Sequence, residues 1–529
     1  MDYVIGSGPS GISCALALLR RGRAVTMLDG GGELETERRQ AVERLRISDP
    51  GSWRGPAIDF LKEGVAADRK GVSVKRIFGS DYPYRDAERF MPTEKIGVDT
   101  RSSLAAGGFS TVWGAAILPF RQADVADWPI GVEELVPHYE KVMQFLDTSV
   151  TDDDLTELFP LYTEDRTAFR RSRQADALLR DLEQNRRQLR AEGIWFGASR
   201  LAARPGPKAG RPGCSYCGLC MYGCPNGLIY STADTLPYLE SFPHFRRVAG
   251  VIVERVAESS SSGVRIFGCV RQSGEPVELA GDRVFLAAGT LASTRIMLRS
   301  LDAYDRTLVL KNSQYFLLPM LRYAAVSGVQ DERLHTLAQT FLEICDPLVS
   351  KNTVHLQVYT YNDLYLAALK KTLGPAFPFF VPALGAFLGR MLTVQGYLHS
   401  DSSPSIAVTL QRRKGLPDLL HQEVQPAMIA EANATLRRVV RKLSRNSKWL
   451  RAKALGPLLN KPAAGHGFHV GGTFPMSKQP TGDQTDLLGR PIGFQRVHLV
   501  DSSVLPSIPA TTITFSVMAN AHRIGSQAE

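Results

Sequence analysis

The sequence predicts an α/β protein: a doubly wound, Rossmann-like nucleotide-binding domain joined to a second domain of α+β type. Three observations predict it. A glycine-rich turn follows a short apolar run that starts at residue 2, and two more apolar runs ending in small or acidic residues lie far downstream. The chain is also 529 residues long, more than one hydrophobic core organises. Apolar residues make up 44% and charged residues 22%, which excludes a disordered chain. The net charge of +10 suits an anionic membrane, a phosphorylated substrate or a nucleic acid. No nucleic-acid motif accompanies it, so the last is set aside. The opening "MDYVIGSG" carries no basic and apolar leader, so a cytoplasmic protein with reduced thiols is expected.

The first element is the strand from Asp2 to Ile5, which runs into Gly6-x-Gly8-x-x-Gly11. Gly6 permits the tight turn, Gly8 lets the backbone approach a pyrophosphate, and Gly11 seats the following helix close to the strand. The helix N-terminus then offers free N–H groups and a positive dipole end to phosphate. "AVTMLD" forms the next strand and ends in Asp29, where an acid takes the ribose hydroxyls. Strand, turn, helix, strand and acid in this order make a dinucleotide site, for either NAD or FAD. "RVFLAAG" (283–289) and "VHLVD" (497–501) read as further buried parallel strands. Ligands sit at the C-terminal ends of such strands, so Asp29, Gly289 and Asp501 are predicted to share one crevice. Asp501 also suits a helix N-cap, and both roles are compatible.

Five further stretches carry a resemblance. They are "AAGGFSTVWG" (105–114), "DWPIGVEELVPHYEKV" (127–142), "RVFLAAGTLASTRIML" (283–298), "HGFHVGGTFPM" (466–476) and "RVHLVDSSVLPSIPATTITFSVMANA" (496–521). Together they resemble the glucose–methanol–choline (GMC) family of flavin oxidoreductases. The resemblance spans both ends and the middle, and is weakest over 301–456. It implies FAD as cofactor. Gly107, Gly108 and Ser110 would contact the flavin, Asp501 would lie beside the ribityl and pyrophosphate, and Thr512 would reach the flavin ring. It also implies a chain that alternates between FAD-binding segments (1–120, 196–300, 457–529) and substrate-domain segments (121–195, 301–456). The implied reaction is oxidation of a CH–OH group of a sugar or other alcohol by hydride transfer to flavin.

His469 is the candidate base, because a neutral imidazole accepts a hydroxyl proton near working pH. A buried, satisfied histidine is the alternative for this residue. His466 reads as a supporting or surface residue. The family usually adds a second polar side chain before a proline near the C-terminus. Here Ile508 precedes Pro509, so either a neighbour such as Thr511 or Asn520 substitutes or the chemistry needs one base only. This departure, with the apolar segment at 372–389, motivates a second reading, a flavin-dependent desaturase or isomerase of a lipid-like substrate. A third is a non-catalytic flavoprotein that relays electrons for another subunit.

Four of the seven cysteines crowd into "CSYCGLCMYGCP". Cys214-x2-Cys217-x2-Cys220-x3-Cys224-Pro225 has the spacing of bacterial ferredoxins, which points to an iron–sulfur cluster. Zinc sites more often use two separated pairs. Packing against the flavin is the plain alternative. Some GMC dehydrogenases carry a cluster in a similar insertion, which implies electrons leaving for an acceptor protein or quinone. Cys14, Cys269 and Cys345 read as core residues.

Two segments of the substrate side stand out. Residues 372–389 are uncharged, but Pro375, Pro378 and Pro382 argue against a straight helix. A lid, an apolar pocket wall or a membrane-surface patch is predicted instead. Residues 436–453 hold eight basic and no acidic residues, with apolar positions at helical spacing. That predicts a basic amphipathic helix, and the two segments together suggest peripheral contact at the inner face of the membrane.

Overall fold

Five parallel strands form the nucleotide end of the molecule, in the order Val497–Leu499, Arg283–Leu286, Asp2–Ile5, Val25–Asp29 and Phe245–Ala249. The computed structural model that shows them describes residues 1–53, 55–63, 74–259 and 263–529. Four of the strands are buried throughout, as a sheet covered on both faces requires. The helix Pro9–Arg20 packs against the last helix, Thr514–Gln527, and this contact ties the chain's two ends together. A buried bidentate pair fixes the strands beneath: Arg283 donates to both oxygens of Asp2, at 3.0 and 2.7 Å. Burial alone would push the Asp2 carboxyl up, and the guanidiniums of Arg283 and Arg23 bring it below the usual range.

The second main sheet is antiparallel and has six strands. Its order is Ala452–Ala454, Tyr315–Arg322, Met391–Tyr397, Val354–Tyr359, Thr340–Ile344 and Ile194–Ala198. Its strands alternate strictly. Phe316, Leu318, Leu356, Val358 and Val394 enter an apolar core with Leu178, Leu182, Leu436, Val439 and Leu443 of the covering helices. Tyr315, Leu317, Gln357, Tyr359, Gln395 and Tyr397, two apart, face the other way and line a large cavity. A five-stranded mixed sheet (Val470–Gly471, Thr307–Asn312, Ile406–Gln411, Leu419–Val424, Thr93–Ile96) and a three-stranded meander (Val251–Ser259, Gly263–Val270, Pro276–Gly281) complete the fold. Two strands sit across the expected segment borders. Ile194–Ala198 spans 195/196, and Thr93–Ile96 pairs with Leu419–Val424 from the substrate side. Composition gives no signal for either, because each strand's partner lies more than a hundred residues away.

The two segments singled out on the substrate side separate. The helix predicted over 436–453 runs instead from Ile429 to Arg445, followed by a short turn of helix at Ser447–Leu450 and the strand Ala452–Ala454. It buries Leu436, Val439 and Leu443, and Lys442 pairs with Glu192 and Asp346 at 2.8 Å each. Its apolar stripe is therefore used in packing. Residues 363–388, by contrast, form one helical run despite three prolines. Pro375 and Pro378 fall in the first turns of helical pieces, where a missing N–H costs nothing, and only Pro382 is internal. This run is almost wholly exposed, with Phe379 at 86%.

Candidate active site

The cavity of about 950 Å³ begins at the strand ends of the parallel sheet and reaches the polar face of the antiparallel one. It stands at the upper end of the range for ligand sites, about 300–1,000 Å³. Gly6, Gly8, Asp29, Gly108, Ser110, Gly289, Asp501, Thr512 and His469 all line it. Gly11 and Gly107 do not. A Cβ on Gly11 would meet the Gly6 carbonyl oxygen at 1.9 Å, and one on Gly107 would meet the Ala233 nitrogen at 2.9 Å. Those glycines permit close backbone packing. A Cβ on Gly8 would meet nothing within 4 Å, because its open side is the cavity. A glycine whose missing side chain leaves a cradle at a helix N-terminus fits a pyrophosphate there.

The carboxylates at the strand ends are already engaged by protein. Asp29 accepts from the Gly31 N–H at 2.7 Å and from Arg247 Nε at 2.8 Å, so a ribose would share it. Asp501 accepts from the Gly289 N–H at 3.0 Å, Ser293 Oγ at 2.5 Å and the Ser503 N–H at 3.0 Å. It caps the short helix Ser502–Val504 and lines the cavity as well. Burial pushes its carboxyl up, and these three donors oppose that shift. Ser110 Oγ donates to the Gly107 carbonyl at 2.6 Å and accepts from the Thr232 N–H at 2.9 Å. Thr512 Oγ1 accepts from the Leu118 N–H at 3.1 Å.

His469 borders the cavity with its ring stacked on Tyr397, centroids 4.5 Å apart. Its Nδ1 is buried without a hydrogen-bond partner among the described residues. Burial, with a smaller contribution from His355, pushes the imidazole down to about 3, so the ring is neutral at working pH. Ile508 lies fully buried in the core, outside the cavity lining. Neither proposed substitute lines the cavity: Asn520 accepts from Arg523, and Thr511 is buried. The polar groups that do face His469's side of the cavity are Gln357, Gln395, Tyr315, Tyr359 and His466. His466 Nδ1 lies 2.7 Å from Asp99 Oδ2, and that bond holds the Asp99 carboxyl below its usual range. Lys75 also borders the cavity, donating to the Trp113 carbonyl at 3.1 Å; burial pushes its ammonium down to about 8. No motif marks Gln357, Gln395 or Lys75; only the period-two pattern of the strands could have found the glutamines.

The four clustered cysteines surround a separate small cavity with His335, Phe169 and Leu337. Leu337 lines both cavities, so one residue's thickness divides them. Backbone N–H groups of Tyr216, Leu228 and Thr336 point at the sulfurs of Cys214, Cys224 and Cys220, at 3.3, 3.4 and 3.5 Å. His335 Nδ1 is buried there without a partner among the described residues. Burial pushes Cys214 and Cys224 up to about 12. Among the described residues, no three His, Cys, Asp or Glu side chains converge to hold a metal ion. The thiols Cys214, Cys217, Cys220 and Cys224 are thus gathered, but not arranged as a ligand set. Cys14 is core, while Cys269 and Cys345 are only partly buried.

The glycines give a direct test. Gly8→Val should fold normally, because its side chain enters open space, yet lose at least about tenfold in flavin retention. Gly11→Val should destabilise the protein itself, because it strikes backbone. The ratio of flavin to protein absorbance, read beside a thermal melt, separates the two outcomes.

Comparison with known proteins agrees with this geometry. Residues 416–521 match the family described as GMC oxidoreductase. A 6'''-hydroxyparomomycin C oxidase of Streptomyces lividus is 24% identical, over 98% of this chain and 89% of that protein. Among solved structures, pyridoxine 4-oxidase from Mesorbium loti superposes with a TM-score of 0.60 at 14% identity, covering 99% and 98% of the two chains. An Aspergillus oryzae RIB40 formate oxidase gives 0.58 at 13% identity, covering 99% and 97%. The structural likenesses speak for the fold alone. Residues 416–521 thus carry a GMC oxidoreductase match, and along the rest of its length the chain resembles the GMC family of FAD-dependent oxidoreductases, whose members act on CH–OH donors.

Proposed function

We propose that this protein oxidises a CH–OH group of a sugar or other small alcohol, with His469 as the base that takes the hydroxyl proton. One observation carries the reading: a neutral imidazole with an unpartnered nitrogen stands on the wall of the cavity that runs from the nucleotide-binding strand ends. FAD, when bound, supplies the acceptor for the hydride that leaves carbon. The chain's own residues do the remainder. Gly6, Gly8 and the N-terminus of Pro9–Arg20 would hold the pyrophosphate, and Asp29 the ribose. The Tyr397 ring fixes the tilt of His469. The relative named as a 6'''-hydroxyparomomycin C oxidase supports a hydroxylated small-molecule substrate. The desaturase reading keeps one of its two motives: Ile508 lies outside the cavity, while the apolar run on the substrate side reaches it through Leu364 and Tyr365.

The finer parts of the reading concern electron exit and location. The cysteine spacing, the thin Leu337 partition and the orphaned His335 nitrogen support an iron–sulfur occupant between flavin and an acceptor protein or quinone. The thiols as arranged form no ligand set, so no step above is routed through a cluster. For location, the reading is a cytoplasmic protein seated peripherally on an anionic membrane. The run Asp363–Leu388 supports it: the segment exposes Phe379, Phe380 and Val381, while Leu364 and Tyr365 line the cavity. No acidic residue occurs from 364 to 400, and Lys370, Lys371 and Arg390 flank the apolar stretch.

Three measurements follow. His469→Ala should keep flavin but slow its anaerobic reduction by substrate about 10²–10⁴-fold. A histidine held near 3 is already neutral well below its ordinary pKa, so the wild-type rate should show no histidine limb between pH 5 and 8. Unchanged kinetics in the variant would remove the base assignment. Protein purified without oxygen should contain iron and acid-labile sulfide, lost in Cys217→Ser; flavin alone would leave the cysteines as packing. Co-sedimentation with phosphatidylglycerol vesicles should occur at low salt and weaken in Phe379→Ser/Phe380→Ser. No binding at low salt would return the run to a plain cavity wall.

A further inference from the structure

A buried polar network that no sequence motif marks spans two neighbouring strands of the antiparallel sheet. Glu343 and His355 face each other directly across neighbouring strands, and both are 0% exposed. His355 Nδ1 lies 2.6 Å from Glu343 Oε1, and its Nε2 lies 3.2 Å from Gln357 Nε2. A carboxamide nitrogen only donates, so His355 Nε2 must be bare and its proton must sit on Nδ1, aimed at the carboxylate. The acid thus fixes the tautomer, and the tautomer fixes which way the Gln357 amide is turned. The Tyr359 hydroxyl completes the arrangement by donating to Gln357 Oε1 at 3.2 Å. The imidazole is clamped between the rings of Phe341, edge-on at 5.0 Å, and Tyr397, stacked at 6.2 Å.

Each amide atom spends one of its two hydrogen-bonding positions on these partners. One N–H hydrogen and one carbonyl lone pair are left, on a side chain that lines the cavity opposite Gln395 and near the Tyr397–His469 stack. A fixed donor beside a fixed acceptor matches a pair of neighbouring hydroxyls, one accepting while the other donates. A single hydroxyl would leave half of the amide unpaired, at a cost of about 1–3 kcal/mol for a buried polar group.

We propose that Gln357 is the second polar partner of the substrate, its free N–H donating to the oxygen of the hydroxyl that His469 deprotonates and its carbonyl accepting from the neighbouring hydroxyl. Glu343 and His355 are positioning residues that lock its orientation. The substrate class is then a polyhydroxylated alcohol rather than a monohydric one. This inference rests on the reading of the cavity as an alcohol-oxidising site.

The test is anaerobic flavin reduction by the full-length holoenzyme, using vicinal diols and cyclic polyols against their monohydric counterparts. The wild type should favour the diols by about tenfold or more in kcat/KM, as two neutral hydrogen bonds predict. The near-isosteric Gln357→Met should bring that ratio to about one. Glu343→Gln should lower it chiefly through KM, since it disturbs the orientation of the anchor and makes no contact with His469. A purely structural role would lower kcat and flavin content alike and leave the ratio standing. If Gln357→Met folds, holds flavin and keeps the preference for diols, the proposal is wrong while the alcohol-oxidising reading survives. Equal reduction of wild type by diols and monohydric alcohols would also overturn it. If no alcohol reduces the wild-type flavin, the reading beneath it falls as well.

Discussion

One buried carboxylate holds the site together. Asp501, at the end of the edge strand Val497–Leu499, accepts from the Gly289 N–H and the Ser293 hydroxyl beyond the neighbouring strand, and from its own Ser503 N–H. That clamp sets the ends of two parallel strands side by side. The next residue carries the constraint onward: Ser502 Oγ lies 2.6 Å from Thr290 Oγ1 and donates to the Val470 carbonyl at 2.8 Å. Val470 follows His469, whose own carbonyl accepts from the Ser313 N–H at 2.9 Å. The position of His469 is therefore inherited from a hydrogen-bonded chain that begins at the strand ends of the parallel sheet. A buried acid with one donor missing costs far more than a surface one, so this chain tolerates little loosening.

The two sheets divide the work according to their geometry. The parallel sheet offers strand ends, where backbone N–H groups and a helix N-terminus meet an anion. The antiparallel sheet offers a broad face, where period-two alternation turns one set of side chains into a core and the other into a cavity wall. Burial then tunes the groups between them. His469 is kept neutral, and Lys75 is drawn toward neutrality near the cysteine loop.

What the sequence disclosed follows a physical pattern. The glycine turn, the strands "RVFL" and "VHL", Asp501 and His469 each sit in a short motif that is legible from its own residues, although the contacts they make reach far along the chain. Ile508 was legible as a departure, but its consequence was not, since whether a position lines a cavity depends on packing from elsewhere. Gln357 and Gln395 lie in the stretch where resemblance is weakest, and they are made partners only by strand register. The Glu343–His355 pair is likewise a cross-strand event. The helical run through three prolines misled in the opposite sense, because proline breaks a helix in its interior but not in its first turn. The cysteine spacing foretold a gathering of thiols around one small cavity, and spacing alone could not dictate whether they converge on an ion.

The central claim is that one continuous cavity joins the dinucleotide-binding strand ends to an alcohol-oxidising wall that bears His469. Its most direct test is a structure of the flavin-loaded protein with a bound polyol. The account predicts the pyrophosphate against Gly8, the flavin ring between Thr512 and His469, and a substrate hydroxyl within hydrogen-bonding distance of the imidazole. A flavin seated elsewhere, or a polyol bound away from His469 with Gln357 still paired only to protein, would contradict it.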